Sequence, residues 1–186
     1  MSCDYIALAN KGIQGLSPYQ AGKPIEELQR ELGLQSIVKL ASNENPLGPS
    51  KKSLAAIQSA MADISRYPDS NGFELKRALA EKLSVGAAQI TLGNGSNDVL
   101  DLVARAYLEP GKSAVYSQHA FVVYRLAVQS CGARAIVVKA KDWGHDLNAM
   151  ADAIDNDTAV VFIANPNNPT GTAISEAIFS IKSPPM

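Results

Sequence analysis

The stretch Ala159-Val-Val-Phe-Ile-Ala-Asn-Pro-Asn-Asn-Pro-Thr-Gly171 decides the fold class. Its apolar, β-branched first half is typical of a buried strand in a parallel sheet, and Asn, Pro and Gly then end that strand abruptly. In open α/β sheets, ligands bind just outside the carboxyl ends of the strands. The two prolines and three asparagines of Asn165–Gly171 favour a binding role, because a plain turn needs no such composition. We therefore predict a ligand site at this strand end.

The rest of the chain alternates between strand-like and helix-like segments. Strands are expected at Ile37–Ala41, Ile90–Leu92, Ser113–Tyr116, Ala135–Val138 and Thr158–Ala164. Helices are expected over Ile25–Leu32, Ser50–Ala62, Phe73–Leu83, Asn97–Leu108, Phe121–Ser130, Asp146–Ala153 and, less completely, Ile174–Ile181. Such alternation predicts an α/β fold, in which helices pack against a mostly parallel sheet.

Composition excludes several functional classes. The chain has 186 residues, 46% hydrophobic and 19% charged, with a net charge of −1, which gives no electrostatic case for binding nucleic acid or an anionic membrane. Two cysteines and two histidines form no metal-ligand spacing, so no metal site is expected. The N-terminus lacks the features of a signal peptide and no apolar run reaches transmembrane length, which predicts a cytoplasmic protein.

A second candidate binding segment is Gly93-Asn-Gly-Ser-Asn-Asp98, between a short strand and a helix. Glycines let the backbone approach a ligand, and a helix N-terminus offers free N–H groups to an anion. Ser96 and Asn97 are small donors placed to bind a phosphate. The same residues also suit an ordinary capped turn, and Asp98 would repel an anion if its carboxylate faced the site.

Of the remaining candidates, Phe121 has both a functional and a structural interpretation, and the other two are expected to be structural. Phe121 follows the strand Ser113–Tyr116 and could stack on a planar ring or pack on the sheet. His145 is expected at the surface in a turn, and Arg66-Tyr-Pro-Asp69 is expected to be a β-turn.

Six stretches, taken in order, carry a family resemblance. They are Leu16–Tyr19, Lys39–Gly48, Arg66–Asp69, Gly93–Asp98, His119–Phe121 with Tyr124, and Asn165–Gly171. Together they resemble the fold-type I, pyridoxal-phosphate (PLP)-dependent aminotransferases, and within them the histidinol-phosphate aminotransferases. Each motif is only moderately specific, whereas their order and positions from residue 5 to about residue 175 are highly specific.

The resemblance implies the domain organisation and the cofactor site. Residues 1–49 would form an N-terminal arm and a small-domain segment, and residues 50–186 would form part of the PLP-binding large domain. Ser96 and Asn97 would hold the cofactor phosphate. Phe121 would lie against the pyridine ring, and Asn168 would hydrogen-bond the phenolic oxygen.

The resemblance also implies the substrates and the assembly. Tyr67 would reach the cofactor phosphate of a neighbouring subunit, so a functional site would need a homodimer. Tyr19 and Asn43 would contact the substrate. The implied reaction moves an amino group between glutamate, which becomes 2-oxoglutarate, and the 2-oxo phosphate partner of histidinol phosphate.

The family's Schiff-base lysine lies well downstream of the segment ending at Gly171, together with an Asp-Glu-x-Tyr segment and a carboxylate-binding arginine. None of the three has a counterpart here. Lys182 is too close to Gly171 to match the Schiff-base lysine. The tail Ala177–Met186 departs from the family pattern, as an early stop or a frame change would produce. We therefore expect an N-terminal fragment with no catalytic residue of its own. It would be inactive alone and would bind PLP weakly and without a covalent bond.

Three alternatives remain open from the sequence. The chain could come from a sister enzyme, such as a threonine-phosphate decarboxylase or another aminotransferase. It could be a non-enzymatic product that pairs with full-length subunits through the loop around Tyr67 and the N-terminal arm. It could also be a phosphate-binding module that works without PLP.

Overall fold

The computed structural model describes residues 4–19 and 22–175, which fall into two compact units. One unit comprises residues 20–92, and the other combines residues 1–19 with residues 93–186. The boundary expected near residue 49 remains a prediction about domain organisation. The expected helix Ile174–Ile181 extends past the described residues, and the tail Ala177–Met186 with Lys182 lies outside them.

Seven helices and three strands make up the regular structure of the described residues. The helices are α1 (Tyr5–Leu8), α2 (Ile25–Leu32), α3 (Lys51–Ala60), α4 (Phe73–Leu83), α5 (Ser96–Tyr107), α6 (Val122–Ser130) and α7 (Leu147–Asp152). The strands are β1 (Ser113–Ser117), β2 (Arg134–Val138) and β3 (Thr158–Val161), and short 3₁₀ turns span Met61–Asp63 and Ala87–Gln89. Every helix in these ranges is too short or too polar to span a bilayer.

The three strands form one parallel sheet in the order β2-β1-β3. All five residues of the central strand β1 are buried, because successive side chains point to opposite faces and helices cover both faces. Ala114 and Tyr116 pack with α5 and α6, whereas Val115 packs with Met150 of α7. The predicted sheet with helices against it is confirmed for these strands.

A polar network closes the amino-terminal edge of the sheet. Arg134 Nη2 donates to Asp155 Oδ2 at 2.7 Å, and Thr158 Oγ1 donates to Asp155 Oδ1 at 2.9 Å. Ser113 Oγ lies 3.1 Å from Thr158 Oγ1. The hydrogen bond from Arg134 is the main cause that lowers the pKa of Asp155 to about 2. The side-chain polar groups at this edge are therefore mutually satisfied.

Two expected strands are irregular in the structure. Ile37–Ala41 and Ile90–Leu92 have strand-like composition, yet neither pairs with another strand among the described residues. A strand is stabilised by hydrogen bonds to a neighbour, and β-propensity alone does not replace them. The six expected helices that lie wholly within the described residues agree with the observed bounds to within two residues.

The loop before α4 is stabilised by hydrogen bonds to the side chain of Asp69. Asp69 Oδ2 accepts from the N–H of Phe73 at 2.7 Å and Oδ1 accepts from the N–H of Asn71 at 3.0 Å, and these bonds lower the pKa of Asp69. Gly72 precedes the helix in the left-handed region, at φ 58°. Asp69 therefore caps α4 and fixes the loop that carries Tyr67, whose side chain is fully exposed.

Candidate functional site

The carboxyl ends of β1 and β3 meet at one edge of the sheet, since the two strands are parallel neighbours. The N-terminus of α5 points to the same edge. Only five residues separate α5 from β1, and α5 packs on β3, so the helix runs back along the sheet. A helix of this length spans about 18 Å, and a five-residue strand spans about 16 Å. The two predicted binding segments therefore belong to one edge.

The turn after β3 is held closed by the side chain of Asn165. Its Nδ2 donates to the carbonyl of Ile174 at 2.9 Å, and its Oδ1 accepts from the N–H of Ile174 at 2.8 Å. Inside the loop, the N–H of Asn167 donates to the carbonyl of Thr172, and the N–H of Gly171 donates to the carbonyl of Asn167, both at 2.8 Å. Gly171 has φ 72°, which favours glycine. The sequence predicted a turn, and the structure shows one that its own side-chain and backbone hydrogen bonds hold in place.

Asn167 is the buried member of the asparagine pair, at 3% exposure. Its Nδ2 donates to the carbonyl of His119 and to Thr170 Oγ1, each at 2.8 Å. Asn168 is only partly buried, and no hydrogen bond among the described residues engages its amide. Sequence reasoning selected Asn168 and missed Asn167, although both belong to the same asparagine-rich turn. Asn167 organises the turn, and the amide of Asn168 remains available.

Phe121 is the N-cap residue directly before α6 and is partly buried. Its ring meets Tyr124 edge to face, with centroids 6.1 Å apart, and Tyr124 in turn stacks on Phe162 at 4.6 Å. Burial raises the pKa of Tyr124. Phe121 therefore packs on the core through one side of its ring and keeps exposed surface, which accommodates both interpretations of this residue.

The N-terminus of α5 has no side-chain cap. Gly95 precedes the helix at φ 82°, and both Ser96 and Asn97 are exposed. The first N–H groups of a helix have no intrahelical partner, so they are available to an anion. Asp98 Oδ2 accepts from the N–H of Asn94 at 3.0 Å, so its carboxylate folds back on the turn. The carboxylate of Asp98 is therefore engaged in a hydrogen bond within the turn before α5.

Four buried side-chain atoms in the described part of the chain lack a hydrogen-bond partner. They are Tyr116 Oη, Ser117 Oγ, His145 Nδ1 and Asn167 Oδ1. Tyr116 and Ser117 end β1, and Asn167 and Ala164, the contact of His145, lie in the segment after β3. The polar side chains described above at the amino edge have partners. Burial raises the pKa of Tyr116. Since buried polar atoms normally have partners, the orphan atoms of Ser117, His145 and Asn167 mark the carboxyl edge as a place for a ligand or ordered water, whereas the ring of Tyr116 packs in the core.

The structure brings four of the seven predicted site residues to one edge: Ser96, Asn97, Phe121 and Asn168. Tyr19 lies in the same unit with an exposed ring, and no described contact ties it to this edge. Asn43, at φ 52°, and Tyr67 belong to the other unit. The roles of all seven residues stay predictions.

His145 corrects the expectation of a surface histidine. It is partly buried, and its Nε2 lies 2.9 Å from the carbonyl oxygen of Ala164. The sequence offered no signal for this contact, because His145 and Ala164 lie 19 positions apart in the chain.

Comparison with known proteins identifies the family. The sequence model of the aminotransferase class I and II family matches residues 35–179. The chain belongs to this family. It is 66% identical over 171 residues to histidinol-phosphate aminotransferase 2 of Pseudomonas aeruginosa, a match that covers 91% of this chain and 46% of that protein. It is 65% identical over 174 residues to the enzyme of the same name from Pseudomonas fluorescens Pf0-1, covering 92% and 47%.

Solved structures agree with the family assignment. Histidinol-phosphate aminotransferase from Sinorhizobium meliloti, solved in complex with pyridoxal-5′-phosphate, superposes with a TM-score of 0.73 at 30% identity, over 80% of this chain and 41% of that one. Aspartate aminotransferase from Rhizobium meliloti shares the fold, with a TM-score of 0.70 at 22% identity, over 81% and 40%. These matches confirm the predicted fold-type I architecture. The chain spans about half the length of the curated relatives it matches.

Proposed function

We propose that this chain supplies the cofactor-binding part of a histidinol-phosphate aminotransferase. The observation that carries the proposal is the concentration of unpartnered polar groups at the carboxyl edge: the free N-terminus of α5, the available amide of Asn168 and the buried orphan atoms. The names of the most similar relatives supply the substrate class.

The donor set of this edge fits a phosphate joined to a flat ring. In the proposal, the N–H groups and side chains of Ser96 and Asn97 bind the phosphate of PLP. Phe121 presents its exposed ring surface to one face of the pyridine, and Asn168 donates to the phenolic oxygen. Bound PLP supplies an electron sink for amino-group transfer, while these residues hold and orient it.

The substrates and the assembly are also part of the proposal. Tyr19 and Asn43 contact histidinol phosphate or its 2-oxo partner, with glutamate and 2-oxoglutarate as the second pair. Tyr67 reaches the cofactor phosphate of a second subunit in a homodimer. Two observations support pairing: Tyr67 is fully exposed, and several large apolar side chains of its unit, including Leu40 and Leu47, are exposed as well. We propose a cytoplasmic location. The spacing of the two cysteines predicts no disulfide framework, which fits a reducing compartment.

Turnover needs a lysine that the resemblance does not match to any position among these 186 residues. We therefore expect no transamination of histidinol phosphate with 2-oxoglutarate by this chain alone. Measurable turnover by the purified chain, sensitive to removal of PLP, would contradict this expectation.

The cofactor site is tested most cleanly with pyridoxine 5′-phosphate. This molecule has the phosphate and ring of PLP but no aldehyde, so it cannot form Schiff bases with surface lysines. Binding is followed by equilibrium dialysis, with pyridoxine, which lacks the phosphate, as the matched ligand. We expect saturable binding of the phosphate form, weakened about fivefold by Ser96→Ala. Equal binding of both ligands, or none, would reject the site.

The matched control for Ser96→Ala is Ser53→Ala. Ser53 is an exposed serine near the start of α3, and it belongs to the other unit. This substitution should leave binding of pyridoxine 5′-phosphate unchanged. A similar loss from both substitutions would point to a nonspecific effect.

A further inference from the structure

A short loop, Lys141–Asp146, adjoins the turn after β3, and we call it the brace loop. Lys141 and Gly144 exchange backbone hydrogen bonds of 3.2 and 2.8 Å. Between them, Asp142 and Trp143 adopt left-handed conformations at φ 49° and 65°. Asp146 ends the loop by capping α7, where its Oδ1 accepts from the N–H of Ala149 at 3.1 Å. The loop is therefore a fixed structure and not a loose connection.

On one side the brace loop contacts the end of β1. The indole of Trp143 stacks on the imidazole of His119, with centroids 4.9 Å apart and planes 28° apart. His119 lies two residues before Phe121, and its carbonyl accepts the hydrogen bond from Asn167 Nδ2. The stack therefore fixes the segment that leads into Phe121.

On the other side the brace loop contacts the segment after β3. His145 Nε2 donates to the carbonyl of Ala164 at 2.9 Å, since a carbonyl oxygen can only accept. Thr172 Oγ1 lies 3.5 Å from the carbonyl of Trp143, at the far end of the turn. Both contacts flank the Asn165–Gly171 turn.

These contacts lie beyond the last hydrogen bond between β1 and the segment of β3. The hydrogen bond from the N–H of Phe162 to the carbonyl of Val115 joins the ends of the two strands at 2.9 Å. Past Phe162, the described connections between the two strand ends are the bond from Asn167 to His119 and the brace loop.

We propose that Trp143 and His145 are positioning residues of the cofactor site. Through His119 and Ala164 they hold Phe121 and Asn168 at a fixed separation, so that a flat ring fits between the two strand ends. The inference rests on the proposed function, and neither residue needs to touch the ligand itself.

His145→Leu and His145→Gln test the inference directly. Leucine fills similar space but has no donor, whereas glutamine can offer an N–H near the position of Nε2. We expect His145→Leu to weaken binding of pyridoxine 5′-phosphate about fivefold, the usual effect of one lost hydrogen bond. Binding of inorganic phosphate should not change, because α5 is not altered. His145→Gln should restore affinity to within about twofold of wild type.

Loss of both ligands in His145→Leu, or equal behaviour of the leucine and glutamine variants, would overturn the positioning role. Trp143→Leu is a second variant that keeps the test decisive if His145→Leu does not fold. Trp143 is largely exposed, so its loss should not unfold the chain, yet it removes the stack on His119. The same selective loss of the ring-bearing ligand is expected, and unchanged affinity would count against the inference.

A ligand-free measurement separates this inference from the proposed function. Amide hydrogen exchange at Asn167 and Gly171 should accelerate in His145→Leu and return to the wild-type rate in His145→Gln. The N–H of Leu108, bonded to the carbonyl of Ala104 at 2.8 Å, is the reference and should not change. If the wild-type chain fails to bind pyridoxine 5′-phosphate, the proposed function fails. Hydrogen exchange still tests whether the brace loop positions the turn after β3. Unchanged exchange at Asn167 and Gly171 would refute this positioning.

Discussion

Asn167 Nδ2 donates a 2.8 Å hydrogen bond to the backbone carbonyl of His119, 48 residues earlier in the chain. This bond joins the segment after β3 to the segment after β1, which are the two walls of the proposed site. Asn167 is nearly fully buried and His119 is partly buried, so the bond is largely shielded from water. The neighbouring Asn168 makes no such contact among the described residues. We therefore expect substitution of Asn167 to lower the stability of the chain, and substitution of Asn168 to affect mainly ligand binding.

Asn167→Ala should destabilise the chain, because it removes two hydrogen bonds of a nearly fully buried side chain and leaves the carbonyl of His119 without this donor. We expect a loss of about 2 kcal/mol in the free energy of unfolding, measured by urea titration. Asn168→Ala is the matched control and should change stability by less than about 0.5 kcal/mol while it weakens binding of pyridoxine 5′-phosphate. The reverse order of stabilities would contradict the roles given to these residues.

The sequence predicted elements well wherever local pattern and tertiary packing agree. Helix α2 begins and ends at the predicted residues, Ile25 and Leu32, since a run of strong helix formers is followed by Gly33 in the left-handed conformation. Ile90–Leu92 was predicted wrongly, because β-propensity is realised only when a partner strand is present.

The candidate site was predictable in outline but not in its internal order. The turn composition and the rule for strand ends located Asn165–Gly171 and Gly93–Asp98. The choice between Asn167 and Asn168 depends on which side chain turns inward, and two adjacent identical residues do not encode that. The contacts of Trp143 and His145 join segments about 20 or more positions apart, which no local pattern reveals.

Gly12 predicts how the N-terminal arm is held. A Cβ at this position would collide with the carbonyl oxygen of Gln129 and would lie 2.8 Å from the N of Gly132 and 2.9 Å from the carbonyl oxygen of Ser130. Gly12→Ala should therefore displace the arm from the end of α6. We expect faster tryptic cleavage after Lys11, followed by mass spectrometry.

The control for Gly12→Ala is Gly15→Asn. Gly15 has φ 77° with no atom near its Cβ position, and asparagine tolerates this conformation. Cleavage after Lys11 should stay at the wild-type rate in this variant. Equal acceleration in both variants would show that the close approach at Gly12 does not hold the arm.

Phe121 predicts a difference between aromatic and aliphatic replacements. Phe121→Tyr keeps the ring that meets Tyr124 edge to face, so binding of pyridoxine 5′-phosphate should stay within about threefold of wild type. Phe121→Ala removes the ring surface, and we expect binding to weaken about tenfold, in line with about 1.4 kcal/mol for an aromatic contact. Equilibrium dialysis at fixed pH measures both. Tighter binding by the alanine variant would exclude a ring-stacking role.

Asp155 predicts an acid-dependent loss of stability. Its pKa is lowered to about 2 in the folded chain, first by the hydrogen bond from Arg134, against an ordinary value near 3.8. A pKa that is lower in the folded than in the unfolded chain stabilises the fold at pH values above the unfolded pKa, and this contribution is lost as pH falls from about 4 towards 2.

Asp155→Asn keeps an oxygen that can accept from Thr158 but removes the charge facing Arg134. It should therefore lower the midpoint of urea unfolding at pH 7 and have almost no effect near pH 2. Asp152→Asn, which alters an exposed carboxylate at the end of α7, is the control, and as a surface substitution it should change stability at pH 7 by less than about 0.5 kcal/mol. A deficit of Asp155→Asn that persists unchanged at pH 2 would mean that the charge pair is not its cause.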